Sequence, residues 1–123
     1  MIFKQTKLDV LDNSGALLVG CIQPLRASKL GAGLGGLIVC SIKKNLIKRK
    51  KKPVLRGQIF KALILSTKVA TKRFGHIYIS ADKNTAILVV DNGPVGNRIF
   101  GSILFEFRLR NLSKVVALAE TFI

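Results

Sequence analysis

The side chains best suited to binding chemistry in this sequence are its cations, which concentrate in a stretch without carboxylates. Residues 13–81 contain no Asp or Glu, yet they hold 14 of the 21 Lys and Arg residues. The densest part is 43–56, where five cations follow one another directly. Each phosphate that a cation neutralises releases condensed counterions, so this pattern favours a polyanion as the partner. The candidate contacts here are Lys43, Lys44, Lys48, Arg49, Lys50, Lys51, Lys52 and Arg56.

A second group of cations, Lys68, Lys72 and Arg73, lies where the sequence predicts a hairpin. An isolated run of lysines is equally typical of a solvated loop. Here, however, no acidic residue dilutes either group, and the formal charge of the chain is +15 at pH 7, which costs a folded monomer some self-repulsion. Together these features favour nucleic-acid binding.

The other reactive residue types give little support to catalysis or to a metal site. His76 is the only histidine, the six carboxylates lack the spacing of a metal loop, and two cysteines fall short of a structural zinc site. Gly31–Gly36 fits the pattern G-x-G-x-x-G, but a strand-like run follows it, whereas dinucleotide binding needs a helix there. We therefore expect no enzyme, no cofactor and no metal.

Aromatic residues bear on the type of nucleic acid. Phe60, Phe74 and Tyr78 interleave with cations and suggest base stacking. The strand position of Phe60 places it in the core, however, which leaves Phe74 at the hairpin tip as the residue free to stack. Backbone and shape contacts with folded RNA are therefore favoured. The alternative is a free-standing single-stranded RNA-binding barrel that acts as a translation or RNA-chaperone factor.

The elements that position these residues are predicted to be short strands of one mainly β domain, residues 1–123. Period-two alternation and turn residues indicate a small β barrel, with a hairpin over 68–80. Apolar i, i+3/i+4 spacing in Phe105–Leu118 predicts one or two short helices. The predicted barrel strands are Thr6–Leu11, Ala16–Ile22, Leu37–Ile42, Gln58–Thr67 and Thr85–Val90.

Hydropathy and cysteine usage bear on the compartment. The longest charge-free windows are 13 residues, short of the roughly 20 that a membrane-spanning helix needs. Lys4 and Lys7 lead into a strand-like pattern, so we expect neither a secretory signal nor a presequence. Cys21 and Cys40 lie in apolar runs and are expected to be buried free thiols in a reducing compartment, with a disulfide as the alternative.

Two stretches resemble the universal large-subunit ribosomal protein fourteen family. The first is Gln5–Ala16, which contains the hallmark Asp-Asn-Ser-Gly-Ala, and the second is Gly96–Gly101 followed by Glu106 and Arg108. The resemblance extends over essentially the whole chain. It implies a five-stranded β barrel with a protruding β ribbon and two small C-terminal helices.

The resemblance also implies partners and contacts. The family binds large-subunit ribosomal RNA near the subunit interface, contributes to an intersubunit bridge with small-subunit RNA and neighbours other large-subunit proteins. In bacteria and organelles it is the docking site of a ribosome-silencing factor. The RNA contacts carried over by position are Asn13, Ser14, Lys43, Lys48, Arg49, Lys51, Lys52, Lys72, Arg73 and Arg98.

The sequence also departs from the family pattern. Leu17 and Leu18 stand where many relatives have Arg, so that contact is lost or supplied elsewhere. Gly36 replaces a common Asp, and Ser102–Phe105 replace a turn that contains Pro-Val. Richness in Lys, Ile, Leu, Phe and Asn, with no presequence expected, favours an organelle-encoded protein of the mitochondrial ribosome. A bacterial cytoplasm or a plastid is the alternative.

Overall fold

The computed structural model describes residues 2–25, 31–46, 54–73, 75–90, 93–109 and 113–123. Strands dominate, and the predicted mainly β class is confirmed. The elements are β1 (Lys7–Val10), β2 (Ala16–Pro24), β3 (Leu37–Asn45), β4 (Ile59–Ser66), β5 (Thr71–Lys72), β6 (Tyr78–Ile79), β7 (Thr85–Val90), β8 (Gly93–Pro94), β9 (Ile99–Ile103), α1 (Glu106–Leu109), α2 (Ser113–Leu118) and β10 (Ala119–Phe122).

Five strands close into the predicted barrel. Antiparallel pairings follow the order β1-β2-β3-β4-β7, and β1 pairs with β7 in parallel, with Asp9 opposite Thr85. Closure matters because it leaves these five strands without an open edge. The predicted hairpin is present as a separate ribbon of β5 and β6, in which Thr71 lies opposite Ile79. Its strands are shorter than predicted, and Phe74 lies outside the described residues.

The barrel interior is filled by one face of each strand. Alternate residues of β4, Ala62 and Ile64, are fully buried there together with Leu8, Val19 and Leu88 from other strands. Each buried aliphatic side chain of this size contributes about 1.5–3 kcal/mol relative to an exposed one. The glycine-rich segment 31–36 is joined to the start of the chain, because Ile2 and Ala32 exchange backbone hydrogen bonds of 2.7 and 2.8 Å and both side chains belong to the inner core.

A second hydrophobic cluster covers the outside of the barrel at β4 and β7. Leu63 and Leu65 of β4 and Ile87 of β7 point outward and pack with Ile103 and Phe107 from the C-terminal segment. Both faces of β4 and β7 are therefore buried over their central residues, which explains why residues 62–65 and 86–88 are continuously apolar instead of alternating. The predicted helices α1 and α2 are confirmed within this covering layer.

Strands β9 and β10 were not predicted. They form a parallel pair in which Ala119 lies opposite Ile99, with an irregularity before Thr121. In β9 only Ile99 and Ile103 are buried, and Gly101 has φ 78°, so the strand lacks the alternation that would reveal it. Residues 91 and 92 lie outside the described residues, and Gly93–Pro94 pair with the end of β7.

Candidate nucleic-acid interface

The turn between β1 and β2 is built around a buried carboxylate. Asp12 is 6% exposed, and its Oδ1 accepts hydrogen bonds from the backbone N–H of Ser14, at 3.1 Å, and from the Ser14 hydroxyl. Its Oδ2 accepts from the backbone N–H of Leu88 at 3.1 Å. These bonds tie the turn to β7 across the barrel closure. Asp12 is therefore committed to the fold.

The neighbouring Asn13 joins this turn to the second sequence signature. Its Oδ1 accepts from the backbone N–H groups of Asn97, at 2.7 Å, and of Arg98, at 3.3 Å. Gly96 lies so close that a Cβ there would be 2.6 Å from this same oxygen. Only glycine fits that approach. Two motifs that are more than 80 residues apart in the sequence thus form one structural unit.

The same turn also adjoins the base of the basic loop that connects β3 to β4. The backbone N–H of Leu46 donates to the Gly15 carbonyl at 2.7 Å, and Asn45 Nδ2 donates to the Val54 carbonyl at 2.8 Å. The second bond brings the two ends of the loop together. The described ends of this loop therefore lie together beside the turn between β1 and β2.

Five of the predicted cations share an open environment. Each is exposed, and none forms an ion pair among the residues that the structure describes. Two lie near the end of β3, one precedes β4, and two belong to the ribbon and its approach. They are Lys43, Lys44, Arg56, Lys68 and Lys72. An exposed cation without a carboxylate partner keeps its full charge available to a phosphate.

Two of the predicted arginines, Arg73 and Arg98, have partners within the chain. Arg73 forms a bidentate ion pair with Glu106 and donates from Nη2 to the Ile123 carbonyl at 3.0 Å, so it ties the ribbon to the C-terminal layer. The hydrogen bonds to Glu106 raise the pKa of Arg73. Arg98 donates from Nε to Glu120 at 2.9 Å, but its side chain stays 63% exposed.

Comparison with known proteins identifies the fold family. The family model described as ribosomal protein L14p/L23e matches residues 1–123. The chain belongs to this family. It is 38% identical to the large ribosomal subunit protein uL14m of Acanthamoeba castellanii, over 98% of each chain. It is 41% identical to the uL14m of Acanthamoeba polyphaga, over 88% of this chain and 97% of that one.

Membership of the L14p/L23e family confirms the resemblance drawn from the two signatures and assigns the chain a structural role without catalysis. In the part of the chain that the structure describes, no three His, Cys, Asp or Glu residues come together as a metal site. No helix of the described ranges is long and apolar enough to cross a membrane.

The remaining predicted contacts fall into two groups. Lys48, Arg49, Lys50, Lys51 and Lys52 lie outside the described residues, so their contacts stay predictions. Asn13 and Ser14 are described, and both have structural partners. Ser14 is 1% exposed, and Asn13 is partly buried beneath the second signature. A contact between these two side chains and RNA also stays a prediction.

Among the cations of this L14p/L23e protein that sequence reasoning left unassigned are Lys4 and Lys7. Lys4 and Lys7 line a surface cleft of about 560 Å³ together with Lys43. The signal was present, because Lys7 alternates with the buried Leu8 and must therefore face outward. What the sequence did not show is that the strand bearing Lys43 lies on the far side of β2.

The cysteines behave as predicted. Cys21 and Cys40 lie opposite each other on β2 and β3, and both are free and buried. Burial raises the pKa of both thiols, that of Cys40 to about 12. Such thiols are almost entirely protonated at neutral pH and serve as small apolar side chains of the core.

Proposed function

We propose that this chain is a structural constituent of the large subunit of the mitochondrial ribosome and binds large-subunit ribosomal RNA through its basic loop and ribbon. The observation that carries the proposal is the set of five exposed cations that form no ion pair among the described residues. The family and the name of both relatives, large ribosomal subunit protein uL14m, support the assembly and the compartment.

The distribution of carboxylates supports the same conclusion. Asp9, Glu106 and Glu120 pair with Lys83, Arg73 and Arg98, and Asp12 is buried in the turn. None of these acids neutralises the five cations. The described cations of the loop and the ribbon can therefore present their charges to phosphates.

Association with the assembly is tested by sedimentation. The endogenous protein should comigrate with large subunits in a sucrose gradient at moderate salt. Recovery of the protein only from the ribosome-free fractions would contradict the proposal.

The alternative is a free-standing single-strand binder. It predicts that Phe74→Ala loses about 1–3 kcal/mol of RNA affinity, whereas a ribosomal protein that binds the RNA backbone and shape should show almost no change.

The contribution of the cations is tested by the salt dependence of RNA binding. The double variant Lys44→Ala/Arg56→Ala should flatten the slope of log affinity against log salt by about 1.4–1.8, because each lost phosphate contact removes roughly 0.7–0.9. The control Lys61→Ala/Lys83→Ala removes the same charge elsewhere and should leave the slope nearly unchanged. Equal salt slopes for the two double variants would show that Lys44 and Arg56 are solvent-exposed side chains that do not contact RNA phosphates.

The finer placement follows from the resemblance and belongs to the same proposal. We propose that the chain lies near the subunit interface and contributes to a bridge with small-subunit RNA. It would also contact neighbouring large-subunit proteins and receive a silencing factor. The exposed Arg98 and Phe100 of the second signature support this placement. A photo-crosslinker at Phe100 should reach small-subunit RNA in intact ribosomes, and crosslinks confined to the large subunit would refute the bridge.

A further inference from the structure

The cleft lined by Lys4, Lys7 and Lys43 lies on the outer face of β1, β2 and β3. Lys7 is opposite Gly20 on the neighbouring strand, and Gly20 is opposite Ser41 on the next. This row lies on the outer face, because the residues that flank Gly20, Val19 and Cys21, belong to the inner core. Gly20 itself is buried, and the side chain of Lys43 lies over it. The cleft volume of about 560 Å³ is within the range of roughly 300–1,000 Å³ that is typical of small-ligand sites.

The charge of this cleft has one sign. Three lysines line it and no carboxylate does. Within the described ranges, none of the three lysines forms an ion pair. Like charges brought together without a counterion repel one another, and an anion bound between them removes that repulsion.

Gly20 gives one of these lysines its position. A Cβ at Gly20 would lie 2.9 Å from Cε of Lys43, so the Lys43 side chain runs across the space that a larger residue would fill. The backbone of Gly20 does not require glycine, because its φ is not in the left-handed region. The absent side chain therefore matters for the shape of the cleft.

The turn that carries Lys4 is held in a costly conformation. Gln5 has φ 68°, and it is the one non-glycine residue with positive φ in the part of the chain that is described. Its backbone N–H donates to the Cys21 carbonyl at 2.8 Å, and Cys21 N–H donates to the Thr6 carbonyl at 2.8 Å. Strain of this kind persists where the surroundings enforce it, and it recurs at binding sites.

We propose that this cleft binds one nucleotide unit of RNA. Lys4, Lys7 and Lys43 neutralise its phosphates, while Gln5 and the half-exposed Ile22 contact the sugar or base. The site rests on the proposed RNA-binding function and extends it to Lys4 and Lys7, which belong to neither the loop nor the ribbon. A nucleotide fits better than a small anion because the cleft combines three cations with an apolar wall and an amide.

The test uses the full chain labelled with ¹⁵N and single-stranded hexauridylate as the probe. Addition of the probe should shift the amide resonances of Gln5, Gly20 and Ile22. In Lys4→Ala/Lys7→Ala these shifts should disappear, and the salt slope should fall by about 1.4–1.8. In the control Lys61→Ala/Lys83→Ala the shifts should remain. Gly20→Ala should weaken the shifts with an unchanged circular dichroism spectrum, because it displaces only the end of Lys43.

Two results would overturn the proposal. Shifts of equal size in Lys4→Ala/Lys7→Ala and in the control would show that the cleft is not the site. If inorganic phosphate saturated the same amide shifts at the same concentration as hexauridylate, the cleft would be a general anion site and not a nucleotide site. Failure here is distinguishable from failure of the proposed function, because ribosomal RNA binding through Lys44 and Arg56 and comigration with large subunits would both persist.

Discussion

Replacement of Gly96 by Ala tests whether the two family signatures really form one unit. The new Cβ would lie 2.6 Å from Asn13 Oδ1, 3.0 Å from Asp12 Cβ and 3.2 Å from the Asn13 backbone nitrogen. Separations below 3.0 Å between such atoms are strongly repulsive. Either the Asn13 side chain moves and gives up its hydrogen bonds to Asn97 and Arg98, or the backbone of the 96–98 segment moves away from the turn.

The size of the effect follows from these contacts. Overpacking at a site that cannot relax costs about 1–3 kcal/mol. Asn13→Ala alone removes two acceptor interactions at a partly exposed site and should cost about 1–2 kcal/mol. Because Asn13→Ala also removes the atom nearest to the new methyl group, the double variant should be less destabilised than the sum of the two single variants, by about 1 kcal/mol.

The assay is urea unfolding followed by circular dichroism, with a matched glycine as the control. Gly33 is exposed, and a Cβ there would meet no atom within 4 Å, so Gly33→Ala should change the free energy of unfolding by less than about 0.5 kcal/mol. If Gly96→Ala and Gly33→Ala unfold at the same urea concentration, the close approach of the two signatures is wrong. Strict additivity of Gly96→Ala and Asn13→Ala would refute the role of Oδ1.

Two further predictions concern the cores. Phe107 is 1% exposed in the outer cluster. Phe107→Ala should therefore lower the free energy of unfolding by about 3–5 kcal/mol in the same urea assay, and Phe107→Leu should lower it by less. Equal losses in the two variants would contradict tight packing around Phe107. The pKa of Cys40 is raised from the ordinary thiol value of 9.0 to about 12 in the folded chain. Below pH 9.0 the contribution of the thiol to stability is complete. Between pH 9.0 and about 12 the thiol ionises in the unfolded chain but stays protonated in the folded one, so the free energy of unfolding falls as the pH rises. Stability should therefore fall less steeply over that range in Cys40→Ala than in the unaltered chain, and parallel pH profiles would refute this origin.

Most of the barrel could be predicted from sequence, because segments with a strand-like pattern of apolar residues are also strands in the folded chain. Alternation in β1 and the apolar runs of β4 and β7 indicated strands, and these segments are strands. The C-terminal strands could not be found this way. In β9, Phe100, Gly101 and Ser102 are all exposed, and β10 follows directly on a helix, so their pairing depends on a partner rather than on local pattern.

The site was predictable in part for a similar reason. Runs of Lys and Arg indicate a basic surface wherever they lie, and the described cations of the loop and ribbon other than Arg73 are exposed. Sequence alone did not reveal which cations are paired. Arg73 meets Glu106 and Arg98 meets Glu120 only after the C-terminal layer folds back over the barrel.

The sequence by itself determined the mainly β class, the basic character of the surface and, through two short motifs, the family. These properties follow from local composition and spacing, which are the same before and after folding. Only the tertiary structure decided that Asn13 accepts a hydrogen bond from Asn97, that two arginines are paired and that Lys4, Lys7 and Lys43 share one cleft. Each of these depends on contacts between residues distant in the chain, which barrel closure and the C-terminal layer bring together.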